Sequence, residues 1–121
     1  MRSLLVLALL AFASLASAAP RAEKISWKVG DTELDGYLVW DDANNTPRPG
    51  LLMVPNWYGV NDRAIDKAKT LAGKDYVILL VDMYGRGIRP ANPDEAGKAA
   101  GAVYGNQEAL RARIAAALEV L

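Results

Sequence analysis

The chain contains no cysteine and no histidine, and only four of its 121 residues are serine. Without cysteine it cannot form disulfides. Without histidine it lacks the usual general base and the commonest metal ligand. A Ser–His or Cys–His relay therefore cannot be assembled from these residues alone. We expect neither a metal ion nor a cofactor.

The chain also lacks an excess of charge of either sign, since 14 Lys and Arg residues balance 14 Asp and Glu residues. Nucleic acids and anionic membranes attract proteins mainly through clustered positive charge. This balance gives no electrostatic reason to expect either partner. A chain of this size can bury one modest core, so we expect a single domain after any leader is removed.

The longest apolar run lies at the amino terminus, in residues 4–15, directly after Arg2. Residues 16–18 read Ala-Ser-Ala, a small-residue cleavage site of the A-x-A type. The run is shorter than the ~20 residues that span a bilayer, and helix-incompatible Pro20 follows. We interpret residues 1–18 as a cleaved secretory signal. The mature protein would then be periplasmic or secreted, without a stable membrane anchor.

Residues 24–40 have the period-two pattern of a β-hairpin. Ile25 and Trp27 alternate with polar residues, and Gly30 with Asp31 is typical turn material. The return strand alternates through Leu34, Gly36, Leu38 and Trp40.

A different pattern begins after the polar loop that ends at Pro49. Residues 51–54 form a continuous apolar run, which predicts a strand buried on both faces of a parallel sheet. A helix is predicted over 62–72, capped by Asn61 and closed by Gly73. Residues 76–81 predict a second buried strand. This strand–helix–strand order indicates two parallel strands in one sheet.

Two further helices are predicted, one over residues 93–103 and one that starts near Asn106. The second has an apolar face formed by Leu110, Ile114, Ala117, Leu118 and Leu121. In an alternating α/β chain the next element should be a strand that covers this face. We therefore expect the α/β domain of residues 19–121 to be incomplete.

Ligands of open α/β sheets bind where strands end, so the loops after the two buried strands are the candidate site. A phosphate-binding loop needs several glycines directly before the first helix. The first loop has only Gly59, and Gly85 and Gly87 are followed by Arg89 and Pro90 rather than by a helix. The glycine pattern therefore disfavours a nucleotide site.

The two loops together resemble those of the dienelactone hydrolase family of α/β-hydrolases. The first loop, after the third strand, reads PNWYGVN over residues 55–61, and the second reads VDMYGR over residues 81–86. The resemblance covers about residues 24–121. It implies the N-terminal part of an α/β-hydrolase fold, and a parent protein that hydrolyses an ester or lactone of a small molecule.

The resemblance also implies roles for individual residues. The backbone N–H of Trp57 would be one oxyanion donor. Asn56 occupies the position of the family's glutamate, which interacts with the nucleophile. Arg86 matches a position that can hold a substrate carboxylate, and Tyr84 would line the same pocket. Tyr58, like Trp57, either packs on the core or faces the substrate.

The family's nucleophile, a Cys or Ser in a G-x-[CS]-x-G turn, is missing from these 121 residues. In the family this turn follows the strand after the last helix present here. We therefore expect this chain to be an inactive N-terminal half of the enzyme. The alternative is a non-catalytic α/β module whose aromatic loop binds a small ligand or a protein partner.

Overall fold

A computed structural model describes residues 19–121, so the predicted signal in residues 1–18 lies outside the described part. The described chain is α/β, as predicted. Its strands are β1 (Arg21–Val29), β2 (Thr32–Trp40), β3 (Gly50–Met53) and β4 (Val77–Leu80). Its helices are α1 (Asp62–Ala72), α2 (Pro93–Tyr104) and α3 (Gln107–Val120).

The four strands form one sheet in the order β1-β2-β4-β3. The hairpin is confirmed: β1 and β2 are antiparallel, and the turn between them includes Gly30 at a φ of 59°. The hairpin begins earlier than predicted, because Arg21 still pairs with Trp40. The predicted parallel pair is confirmed in β3 and β4, while β2 and β4 are antiparallel.

Helices cover both faces of this sheet. On one face α1 packs against a buried cluster formed by Val39, Ala68, Ala72 and Ile78. On the other face α2 and α3 pack against a cluster formed by Leu79, Val81, Met83, Val103 and Ala117. Successive residues of β4 therefore enter opposite cores, as expected of a central strand covered on both sides.

The prediction of two doubly buried strands is right for β4 and wrong for β3. Ile78, Leu79 and Leu80 in β4 are almost fully buried. In contrast, Leu51 is 41% exposed and Val54, just after β3, is 53% exposed. The reason is topological, because β3 is an edge strand and pairs only with β4 among the described residues.

Helix α1 has the bounds that its caps predict. The Asn61 side chain accepts a hydrogen bond from the Ala64 N–H at 2.9 Å. Gly73 ends the helix with a φ of 47°, in a region that favours glycine. These are local interactions, so the flanking residues alone define the ends of the helix.

The predicted apolar face of α3 needs one correction. Leu118 is 60% exposed, because Ala117 occupies the centre of the face that packs on the core. Val120 packs against that core instead, together with Leu110 and Ile114. Leu121 lies against β3.

Candidate active site

The two candidate loops lie side by side, because they follow neighbouring parallel strands. Loop A (residues 54–61) leaves β3, and loop B (residues 81–87) leaves β4. The Val81 N–H continues the ladder by donating to the Met53 carbonyl at 2.9 Å. The sheet thus brings together two segments that are far apart in the sequence.

Loop A contains a tight turn built by its own residues. The Asn56 side-chain oxygen accepts from the Tyr58 N–H at 3.0 Å, and the Asn56 carbonyl accepts from the Gly59 N–H at 2.9 Å. Gly59 has a φ of 71°, which favours glycine. A Cβ at this position would also lie 3.1 Å from the Tyr84 ring. The turn glycine therefore allows loop A to lie directly against loop B.

Trp57 stands at the tip of this turn and does not cap the core, since it is 46% exposed. Its ring contacts Tyr58 edge-on, with ring centroids 5.6 Å apart. Its carbonyl accepts a hydrogen bond from the Tyr84 hydroxyl at 2.7 Å. Within residues 19–121 its backbone N–H donates to no protein acceptor. The peptide unit after Trp57 is therefore held at both its carbonyl and its N–H.

Loop B is organised by Asp82, which is 1% exposed. One carboxylate oxygen accepts from the N–H groups of Tyr84 and Gly85, each at 3.0 Å. The other oxygen accepts from the Asp35 N–H of β2 at 3.0 Å. Asp82 therefore closes the turn at the end of β4 and ties it to β2.

Arg86 is held by acidic residues of β2. Its Nε lies 3.0 and 3.1 Å from the two carboxylate oxygens of Asp35, and the guanidinium also pairs with Glu33. The Arg86 hydrogen bond, assisted by the Ser26 hydroxyl and by Lys24, lowers the pKa of Asp35 well below its usual range. Asp35 therefore remains ionised at any ordinary pH, and this ion-pair cluster connects loop B to the hairpin.

A cavity of about 180 Å³ lies between the two loops and the helices. No Asp, Glu, Lys or Arg of residues 19–121 lines it; its walls are Val54, Pro55, Asn56, Trp57, Gly59, Met83, Tyr84, Ala100, Val103, Tyr104 and Leu110. Burial, with a smaller effect of Tyr104, raises the pKa of Tyr84. The Tyr84 hydroxyl therefore keeps its proton and remains a hydrogen-bond donor to loop A.

The five residues predicted for the site fall into three places. Asn56, Trp57 and Tyr84 meet at the cavity. Tyr58 lines a neighbouring cleft. Arg86 lies outside both, in its ion pairs with β2.

The sequence interpretation missed the far wall of the cavity, which is formed by Ala100, Val103 and Tyr104 of α2 and by Leu110 of α3. The spacing of Ala100, Val103 and Tyr104 predicts that they share one face of α2. The spacing does not reveal that this face meets the loops.

No group of three or more acidic, cysteine or histidine side chains in residues 19–121 could hold a metal ion. No helix in the same range is both long and apolar enough to cross a membrane.

Comparison with solved structures identifies the fold. A protein named m3DLH matches with a TM-score of 0.75 and 31% identity, over 84% of this chain and 42% of its own. A dienelactone hydrolase-like promiscuous phosphotriesterase from metagenomic libraries matches with a TM-score of 0.76 and 31% identity, over 85% and 43%. A dienelactone hydrolase from Anabaena variabilis is 17% identical and has a TM-score of 0.52, over 84% and 44%. The fold is thus that of a partial dienelactone hydrolase-like domain.

The chain spans less than half the length of each of these three proteins. A comparison with the curated proteins gave no match. The family model of the dienelactone hydrolases matches residues 34–121, which include both loops and all three helices. The chain therefore belongs to the dienelactone hydrolase family.

Proposed function

We propose that this chain carries the oxyanion half of a site that hydrolyses an ester or lactone of a small molecule. The nucleophile and its base would be supplied by sequence outside these 121 residues, and the 121-residue chain alone would be inactive. Family membership and the apolar cavity support the hydrolase. The absence of Cys, His and a serine-bearing turn supports the inactivity.

The observation that carries this proposal is the peptide environment of Trp57. An oxyanion donor must be fixed in place before the reaction and must not already be bonded to the protein. The Trp57 carbonyl is held by Tyr84, and the turn that follows is closed by Asn56. The Trp57 N–H has no acceptor in residues 19–121, and Trp57 lines a cavity that could receive the substrate. Such a donor contributes about 3–4 kcal/mol to transition-state stabilisation.

Asn56 has a different role in this proposal from the family's glutamate. An amide cannot accept a proton as a carboxylate can. The Asn56 side-chain oxygen is bonded to the Tyr58 N–H and so shapes the turn. We assign Asn56 to the organisation of loop A and not to activation of the nucleophile.

A phosphotriester is a second candidate substrate, because a relative with 31% identity is named a promiscuous phosphotriesterase. An N–H donor that stabilises a carbonyl oxyanion can also stabilise the developing charge on a phosphoryl oxygen. Parallel assays with a carboxylic ester and a phosphotriester of 4-nitrophenol would rank the two substrates.

The test compares two purified proteins, residues 19–121 and a version extended by the sequence encoded downstream of Leu121. We expect hydrolysis of 4-nitrophenyl acetate by the extended protein only, above a mock preparation. Hydrolysis by residues 19–121 alone would contradict the proposal that the nucleophile and its base lie outside these residues. If no nucleophile-bearing turn is encoded downstream, the catalytic proposal fails.

The competing proposal is a non-catalytic binding module. It requires residues 19–121 to fold cooperatively as a monomer. Under the hydrolase proposal we expect residues 19–121 to self-associate, because β3 is an open edge among the described residues and Leu51 and Leu118 are exposed. Sedimentation of residues 19–121, with Leu51→Lys as a variant that blocks the edge, distinguishes the two.

A further inference from the structure

The cavity beside Trp57 has an apolar lining, and this property bears on the chemistry of its ligand. Val54, Met83, Val103 and Leu110 contribute apolar side chains to its walls, and its aromatic side chains add further apolar surface. Its polar side chains belong to Asn56 and to two tyrosines, and Asn56 and Tyr84 already bond to loop A. The cavity therefore offers a bound group apolar contact and little polar compensation.

The size of the cavity limits the group that it can hold. Its volume is about 180 Å³. An apolar protein cavity of ~150 Å³ is large enough to bind benzene. A phenyl ring or a short alkyl chain therefore fits without movement of the walls.

The three arginines that contact or belong to loop B already have partners. Arg86 bonds to Asp35 and pairs with Glu33, so its charge is balanced by two carboxylates. Arg89 donates to the Asp35 carbonyl at 3.1 Å and lies 3.6 Å from Asp82. Arg113 donates to the Met83 carbonyl and does not line the cavity.

We propose that this cavity selects a neutral substrate, an ester whose bound part is an aryl ring or a short alkyl chain, and disfavours a substrate that brings a carboxylate into it. The proposal rests on the proposed function, because it specifies the substrate of that same site. It assigns Arg86 to the link between loop B and β2 instead of to substrate binding.

The physical reason is desolvation. A carboxylate that enters an apolar cavity loses its water and needs a charged or hydrogen-bonding partner there. In the part of the chain that the structure describes, no Lys or Arg lines the cavity, and an incoming carboxylate would have to displace Asp35 and Glu33 to reach Arg86. A neutral amide of the same shape carries a much smaller penalty.

The test uses two ketones of nearly equal shape, 4-acetylbenzamide and 4-acetylbenzoate, which cannot be hydrolysed. Binding to the 121-residue chain is followed by tryptophan fluorescence, with Trp57→Phe to identify the responding residue. We expect the neutral amide to bind at least about tenfold more tightly than the anion. Because neither probe reacts, the result is independent of whether an extended protein hydrolyses esters.

Two variants in α2 show whether the probes bind in the cavity. Ala100→Phe fills the cavity and should weaken amide binding at least about tenfold. Gly101→Phe is the matched control, because a Cβ there meets no atom within 4 Å, and it should leave amide binding unchanged. Anion binding that persists in Ala100→Phe would belong to the neighbouring cleft, which Arg63 and Lys67 line, and would leave the assignment of the cavity intact.

The proposal is overturned if 4-acetylbenzoate binds in the cavity as tightly as the amide, above all if Arg86→Ala then abolishes anion binding. It is also overturned if neither probe binds. Neither result would contradict the oxyanion role of Trp57, because that role does not depend on the charge of the substrate and is tested separately.

Discussion

Loop A and loop B leave neighbouring strands, yet they are stabilised in different ways. Loop A is held by its own short-range bonds and by one contact with loop B, from the Tyr84 hydroxyl to the Trp57 carbonyl. Loop B is held by a buried carboxylate, Asp82, and by ion pairs to β2. The difference indicates that the two loops have different roles. Loop A presents a backbone N–H, and loop B is the structural support that keeps this N–H in position.

The largest effect should come from removing the carboxylate that organises loop B. Asp82→Ala leaves three buried or half-buried N–H groups without their acceptor. We expect a loss of about 3–5 kcal/mol in the free energy of unfolding, measured by urea denaturation. Asp82→Asn keeps one acceptor oxygen and should lose less. Equal, small losses in both variants would show that loop B does not depend on this carboxylate.

The second effect is a pH dependence of stability that originates in the ion pair between Asp35 and Arg86 of loop B. The pKa of Asp35 is lowered in the folded state, chiefly by its hydrogen bond to Arg86. The unfolded chain therefore takes up this proton near pH 4 while the folded chain does not. The stabilisation from Asp35 is complete above that pH and decreases as the pH falls further. Urea denaturation at pH 6 and pH 3 should show a smaller difference in Asp35→Asn than in the original protein.

The contact between the two loops should have a smaller effect on stability. Tyr84→Phe removes the hydroxyl that donates to the Trp57 carbonyl, which should cost about 1 kcal/mol. In an extended, active protein it should lower kcat more than it changes KM, because the donor loses its support. Tyr104→Phe is the matched control: this exposed tyrosine lines the same cavity and should change stability by at most about 0.5 kcal/mol. If the two variants behave alike, Tyr84 does not position loop A.

The smallest effect is expected within loop A itself. Asn56→Ala removes an exposed hydrogen bond to the Tyr58 N–H and should cost about 0.5–1 kcal/mol. Asn56→Asp keeps an acceptor oxygen and should be nearly neutral, as thermal denaturation would show. A loss as large as that of Asp82→Ala would remove the contrast between the two loops.

The features that the sequence predicted well depend on neighbouring residues. Asn61 and Gly73 define the ends of α1 because capping bonds span three or four residues. Gly30 and Asp31 define the hairpin for the same reason. The family motifs were right in part. They predicted one site from Asn56, Trp57, Tyr58, Tyr84 and Arg86, whereas the structure brings only Asn56, Trp57 and Tyr84 to the cavity.

The features that the sequence did not reveal depend on distant contacts. An apolar run such as residues 51–54 has the same composition in an edge strand as in a central one. The partners of Arg86 lie on β2, more than 50 residues earlier, so the motif alone could not predict its ion pairs. The exposure of Leu118 follows from how α3 rests on the sheet, which its helical spacing does not determine.

The central claim is that the Trp57 N–H, and not its side chain, contributes to hydrolysis. Trp57 is the second residue of a turn in which the Gly59 N–H bonds to the Asn56 carbonyl, a position that accepts proline. In an extended protein, Trp57→Pro removes the N–H and the indole, whereas Trp57→Ala removes the indole alone. We predict that kcat/KM is about 10²–10³-fold lower in the proline variant than in the alanine variant when both are folded. Equal kcat/KM values in the two variants would contradict the account.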